Sequence, residues 1–369
     1  MTRRRKLLIA LAIVAVVAIA ARAALPFVVE YYANRTLAGL EGGYTGHVED
    51  VDLAVWRGNY SLEGLRIDKR EGDIPLPFAS VPRLDVSIQW GALLRGALVA
   101  EVHAIEPRMV FVDAESKERS QTGMGPDWAE KLEALAPFRF NRVTVRDGRI
   151  EFRNFESEPP VEIYIDDIEV LAENLTNIRG ENDDVFGTVS ARGLVMGETP
   201  VSVDARIDPV ADPPELELDA QLEKLPLPML NPLLDAYANV DAEAGTFSVY
   251  VEIATAGGRF EGYVKPLLEN AEFLSRSDDE NIFRKAWEGI VDLVAEVFEN
   301  QPKERVATRV PLSGELDAVE AELVPAIFNI LRNAFVQALS ASISDTVSLE
   351  DVDESFRNED QDGQEDDTG

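Results

Sequence analysis

The stretch RVTVRDGRIEFRN, Arg142 to Asn154, governs the reading of the chain. Val143 and Val145 share one side of an extended backbone, and so do Ile150 and Phe152, because strand side chains alternate between faces. Between the pairs stands Asp147-Gly148, a dipeptide suited to the left-handed residues of a tight turn. The spacing predicts two short strands joined as a hairpin. Each would be apolar on one side and charged on the other.

The same alternation runs from His47 to about Phe273. VEDVDLAVW places Val51, Leu53 and Val55 together, and YSLEGLRID does so with Leu62, then Leu65 and Ile67 after a Gly64 that suits a bulge. RLDVSIQW aligns Leu84, Val86, Ile88 and Trp90, and GTFSVYVEIAT aligns Val249 and Val251. VEIYIDDIEVLAENL, FGTVSARGLV, TPVSVDARID, PELELDAQLE and GRFEGYVKP repeat the theme, with the acidic pair of IDD (Ile165–Asp167) read as a turn. Short, closely spaced strands with few helices between them predict an antiparallel sheet, in a mainly β fold with some α. One face of that sheet would be greasy, and would meet another layer, curl on itself or hold a ligand.

The N-terminus differs. Arg3, Arg4, Arg5 and Lys6 precede a wholly apolar run from Leu7 through Ile13 and Val17 to Ala21, and apolar character resumes after Arg22 through Phe27 to Val29. About 20 apolar residues span a bilayer. Residues 7–29 therefore predict a transmembrane anchor, with Arg22 snorkelling, Tyr31 and Tyr32 at the interface, and the basic tip 1–6 in the cytoplasm. A cleaved export signal fits the same residues through ARA at Ala21–Ala23. The Arg inside that cleavage site and the apolar run beyond it weigh against it. Either reading exports the rest of the chain.

Helical spacing appears in PLPMLNPLLDAYANV (Pro226–Val240) and in two longer segments near the C-terminus. Asp278–Asn300 carries a stripe through Phe283, Trp287, Val291, Val294 and Phe298; Ala318–Ile343 carries Phe328, Leu331 and Phe335. Both suit packing against the sheet, or a lid or partner surface. The expected organisation is a first β segment (30–113), a loop with a short helix (114–137), a main β segment (138–273), the helix–strand–helix region (274–348) and a disordered acidic tail (349–369).

Charge and chemistry narrow the functions. Thirty-five Lys plus Arg stand against 68 Asp plus Glu, a net charge of -33, which opposes nucleic acid as a partner. With no Cys, disulfides and thiol catalysis are excluded. His47 and His103 lack metal-ligand spacing, no serine has a nucleophile-elbow context, and the glycines form no phosphate loop. No catalytic residue, cofactor or metal site is expected, and the chain reads as non-enzymatic.

The order of LPFVVEYYANRTL, SIQWGALLRGALVAEVHAIEPRMVF, VRDGRIEFRN, NPLLDAYANVDAEAGTFSV and VATRVPLSGEL resembles a family of Gram-negative envelope proteins catalogued as domain of unknown function 748, related to the AsmA-like proteins. The resemblance spans roughly Leu25 to Ala341. It implies a single-pass inner-membrane anchor, a periplasmic body with a twisted, U-shaped sheet, and a greasy groove that moves phospholipid; it carries no catalytic motif. The residues expected to line such a groove are Leu84, Val86, Ile88, Val143, Val145, Ile150, Phe152, Val249 and Val251. The alternative is an anchored adaptor that binds another envelope protein through a sheet edge or the amphipathic helices.

Overall fold

The computed structural model describes residues 3–40, 43–54, 58–89, 91, 98–114, 116, 118–121, 138–176, 186–208, 215–238, 240–275 and 310–315. The expected helices at Asp278–Asn300 and Ala318–Ile343, with Phe283, Trp287, Val291, Val294, Phe298, Phe328, Leu331 and Phe335, lie outside the described residues. So do residues 122–137 and the acidic tail.

The chain is mainly β. Helix α1 (Arg3–Leu37) is followed by β1 (Tyr44–His47), β2 (Asp50–Ala54), β3 (Asn59–Lys69), β4 (Ala79–Ile88), β5 (Leu98–Ile105), β6 (Arg108–Asp113), β7 (Phe138–Asn154), β8 (Val161–Thr176), β9 (Gly187–Val195), β10 (Thr199–Asp208) and β11 (Glu215–Pro226). A 3-10 turn (Leu227–Leu230) leads into the short helix α2 (Asn231–Ala238), as the Pro-rich spacing predicts. Strands β12 (Val240–Ala256), β13 (Arg259–Ser275) and β14 (Val310–Glu315) complete a 14-stranded sheet. Its main path is β1-β3-β4-β5-β7-β8-β9-β10-β11-β12-β13-β14, with β2 beside β3 and β6 between β4 and β7.

Three expectations are corrected. First, the sheet is mixed. β5 and β6 both run parallel to β7, because the chain leaves β6 and returns through residues 114–137 instead of turning back directly. Second, Arg142–Asn154 is no hairpin but part of one strand, β7. Third, Ile165–Asp167 is no turn but lies inside β8.

The second and third corrections share a cause. Asp147 and Asp167 take left-handed φ values of 53° and 49°, the conformation that suggested a turn. Each is instead the extra residue of a β-bulge. The β7–β8 register passes from Val145↔Val170 to Gly148↔Ile168 to Ile150↔Ile165, so β7 gains a residue and then β8 gains one back. A bulge and a hairpin both absorb the odd spacing between Val145 and Ile150. Glu106 (φ 51°) sits at the matching break between β5 and β6, and its N–H bonds Arg146 O at 2.8 Å. A line of bulges thus crosses neighbouring strands.

α1 is built into the sheet edge. Asn34 donates to Val48 O (3.0 Å) and accepts from Val48 N (2.7 Å), satisfying both backbone groups of a fully buried residue. Leu37 and Leu40 pack with Tyr44, Ile67, Phe78, Met109 and Phe111. Higher up the helix, Arg22 Nη1 donates to Leu53 O of β2 at 3.2 Å. The side chains of Arg3 to Lys6, Leu7, Val17 and most of their neighbours lie outside the described residues, and Ile13 is exposed. Among the described residues no helix is long and apolar enough to cross a membrane.

Candidate functional site: the two faces of the sheet

The register carries one apolar face through most of the sheet. Val86 opposes Val102, which pairs Val143; Val143 opposes Ala172, then Val189, Ala205, Leu218 and Ile253 in successive strands. A second row runs from Leu84 through Ala104 and Val145 to Val170 and Ala191. A third joins Val201, Leu222 and Val249. Directly opposed residues share a face, so Leu84, Val86, Ile88, Val143, Val145, Val249 and Val251 all lie on this side.

The bulges keep Ile150 and Phe152 there too. A Cβ on Gly148 would touch Val145 Cγ1 and Ile168 Cβ, and one on Gly193 would touch Ile165 Cγ2 and Ile168 Cγ1. Ile165 pairs Ile150, so residues before and after the bulges face the same way. The sheet therefore brings the expected β4 and β7 residues close together across β5. It sets Val249 and Val251 five strands from β7, about 24 Å along a flat sheet.

Their exposure is graded. Val86 and Val251 are buried; Leu84, Ile88, Val143, Val145, Phe152 and Val249 are half-buried; Ile150 retains 38% of its surface. Among the described residues, the main contacts of helical elements with the sheet are α1 on β1 and β2, the 3-10 turn on β11 and β12, and α2 on β8 and β12. Sequence reading missed Ala172, Val189, Val203 and Leu218 as members of this face, although the period-two signal includes them.

α2 closes one end. Leu227 and Leu234 pack with Phe247, Leu222 and Val249, while Asn231 bonds both the N–H and C=O of Ala242 on β12. At the other end of α2, Tyr237 donates to Asp113 Oδ2 on β6 and accepts from Asn154 Nδ2 on β7, beside the Phe152 ring. Asn231 to Tyr237 is about 9 Å of helix rise. α2 therefore bridges β6 and β7 to β12 across the apolar face.

The opposite face is charged. Glu151 is completely buried there. Its Oε1 accepts from Arg149 Nε at 2.7 Å and Arg108 Nε at 2.5 Å, and its Oε2 accepts from Arg153 Nε at 2.8 Å. Burial pushes the Glu151 carboxyl up, but the hydrogen bonds from Arg153, Arg149 and Arg108 outweigh it and hold the group below the usual carboxylate range. Arg149 also covers the Tyr164 ring, 3.8 Å from its centre. Further along this face an open cavity of about 930 Å³ is rimmed by Asp204, Glu217, Asp219, Glu252 and Glu261, with Arg206 paired to Glu217. The carboxylates of these walls repel an anionic headgroup, while Leu171, Ala254 and Tyr263 add apolar surface to the same lining.

No family model and no curated protein matches the chain.

The two histidines stay apart. His103 Nδ1 meets Thr144 Oγ1 at 2.7 Å, and His47 lies exposed on β1. Among the described residues, no group of three or more His, Asp or Glu is arranged to hold a metal ion. The chemistry available on the apolar face is dispersion and water exclusion.

Proposed function

We propose that the chain is a non-enzymatic envelope protein, held in the bacterial inner membrane by α1 and binding or conducting phospholipid, or a similar hydrophobic cargo, on the apolar face of its periplasmic sheet. The observation that carries this reading is the half-buried apolar surface continuous from β4 to β12, with a charged surface behind it. Seven steps between these strands amount to about 34 Å. Removing apolar area from water is worth about 25 cal/mol per Å², so an acyl chain laid along such a trough gains several kcal/mol. The apolar run Leu7–Ala21 behind four basic residues supports the anchor and its orientation, N-terminus inward. The resemblance to the AsmA-like proteins supports the cargo class and a U-shaped groove.

Photo-crosslinking in intact membranes tests the reading. A photoreactive residue replacing Val143 or Ile150 is expected to capture phospholipid, and one replacing Glu217 or Asp219 is not. Lipid capture equal on both faces overturns the proposal. So does capture of a single protein at Val143 and Ile150 without lipid, which points to the adaptor reading.

A further inference from the structure

α1 presents two unlike sides beyond Ala21. At about 100° per residue, Pro26, Val29, Glu30, Ala33, Asn34 and Leu37 fall on one arc, and all are half-buried toward the sheet. Arg22, bonded to Leu53 O, belongs to the same arc. Phe27, Val28, Tyr31 and Tyr32 fall on the opposite arc and keep 71%, 46%, 60% and 63% of their surface. Four large apolar or aromatic side chains thus stand outward on a helix whose other side is occupied.

The apolar run ends at different heights on these two sides. On the sheet side it stops at Arg22. From Leu7 to Ala21 is about 22 Å of helix, short of the ~30 Å hydrocarbon core. On the outward side it continues through Leu25, Phe27 and Val28 to the tyrosine pair, about 37 Å from Leu7. A helix with one short and one long side meets a bilayer by tilting. Tyrosines are suited to the boundary between hydrocarbon and headgroup. Arg35 Nη1 lies 3.5 Å from the Tyr31 hydroxyl, which sets a cation at the level of lipid phosphates.

We propose that Phe27, Val28, Tyr31 and Tyr32 form a lipid-facing surface at the membrane interface, so that α1 leaves the bilayer obliquely, its sheet side emerging at Arg22 and its outer side at Tyr31 and Tyr32. The inference rests on the anchor reading above. The occupant is the headgroup–acyl boundary of the membrane that the same helix enters, because the surface continues the apolar run without a break. The contact is confined to α1, and the acidic body stays clear of anionic headgroups. Since Asn34, Leu37 and Leu40 tie the helix to the sheet, the tilt also fixes how the body stands on the membrane.

The chain has no Cys, so single labels can be placed cleanly. Full-length protein carrying Phe27→Cys, Tyr31→Cys or Tyr32→Cys is labelled with an environment-sensitive fluorophore and reconstituted in phosphatidylethanolamine–phosphatidylglycerol vesicles. Val17→Cys reports the anchor and Glu217→Cys reports open water. Shallow nitroxide lipids are expected to quench positions 27, 31 and 32 at least twofold more than position 217, and deep nitroxide lipids to quench position 17. If position 17 is lipid-quenched while 27, 31 and 32 respond to aqueous iodide like 217, the interfacial surface is overturned and the anchor stands. Iodide access at position 17 overturns both. Labels at 27, 31 and 32 shielded from iodide and from lipid nitroxide alike would show a protein cover, such as a second copy, and overturn the lipid assignment.

Discussion

The hydroxyl of Tyr237 donates to the carboxylate of Asp113 at 2.7 Å across 124 positions of sequence. This bond ties α2 to β6, on the far side of the apolar face from β12, and Asn154 donates to both partners. Removing the hydroxyl in Tyr237→Phe keeps the ring on Phe152 but strands part of the Asp113 carboxylate. The expected cost is about 1–2 kcal/mol. Hydrogen exchange checks it: amides of Asn231–Ala238 should lose protection while those of β12 do not. Burial above all pushes the phenol far above its ordinary value of 10.0; the Asn154 hydrogen bond lowers it in part, and Asp113 raises it again. The unfolded chain then ionises first, so this contribution is complete below about pH 10 and fades as pH rises further. Tyr237→Phe should flatten that alkaline loss.

Glu151 is the hub of three guanidiniums. Glu151→Ala leaves Arg149 and Arg153 without their shared acceptor and should cost about 3 kcal/mol. Because the native carboxyl titrates below the ordinary 4.5, the unfolded state takes up its proton first as acid is added. The contribution is therefore present above about pH 4.5 and lost as pH falls toward the native value. Denaturant titrations between pH 7 and pH 3 should show a smaller acid loss in Glu151→Gln than in the parent chain.

Asp147 holds φ at 53°, a region that costs an L-residue about 1–2 kcal/mol and a β-branched one more. Asp147→Gly should be neutral or mildly stabilising, whereas Asp147→Val should destabilise by about 2 kcal/mol. Equal stability of the two variants in denaturant titration would contradict the bulge.

Asn34 supplies both hydrogen-bond partners of buried Val48. Asn34→Ala orphans a donor and an acceptor together, at an expected cost of about 2 kcal/mol. Asn34→Asp retains the acceptor and should lose less. Limited proteolysis between α1 and β1 reports the effect directly, with cleavage fastest in the alanine variant.

Period-two patterning made most strands legible: β4, β9, β10, β11 and β13 fall on the segments that alternation picked out, as does the greasy face they share. The acidic and Gly-containing dipeptides misled. Asp147-Gly148 and Asp166-Asp167 carry the local chemistry of turns, and local chemistry does not distinguish a left-handed residue that reverses the chain from one that merely adds a step. That choice rests on whether a neighbouring strand continues past the point, which β8 does for β7 and β6 does beyond Glu106.

What the sequence determined by itself is the alternation of wet and greasy positions, the basic tip ahead of an apolar run, and the absence of a nucleophile or metal-ligand pattern. These follow from residue type and spacing alone. Tertiary structure decided the parallel pairing of β5 and β6 with β7, the cancellation of two bulges that keeps Val145 and Ile150 on one face, the burial of Glu151 among arginines, and the division of α1 into a sheet side and an outward side. Each of these depends on which distant backbone supplies the hydrogen bonds. Partners far apart in the chain leave no mark on the local pattern of either one.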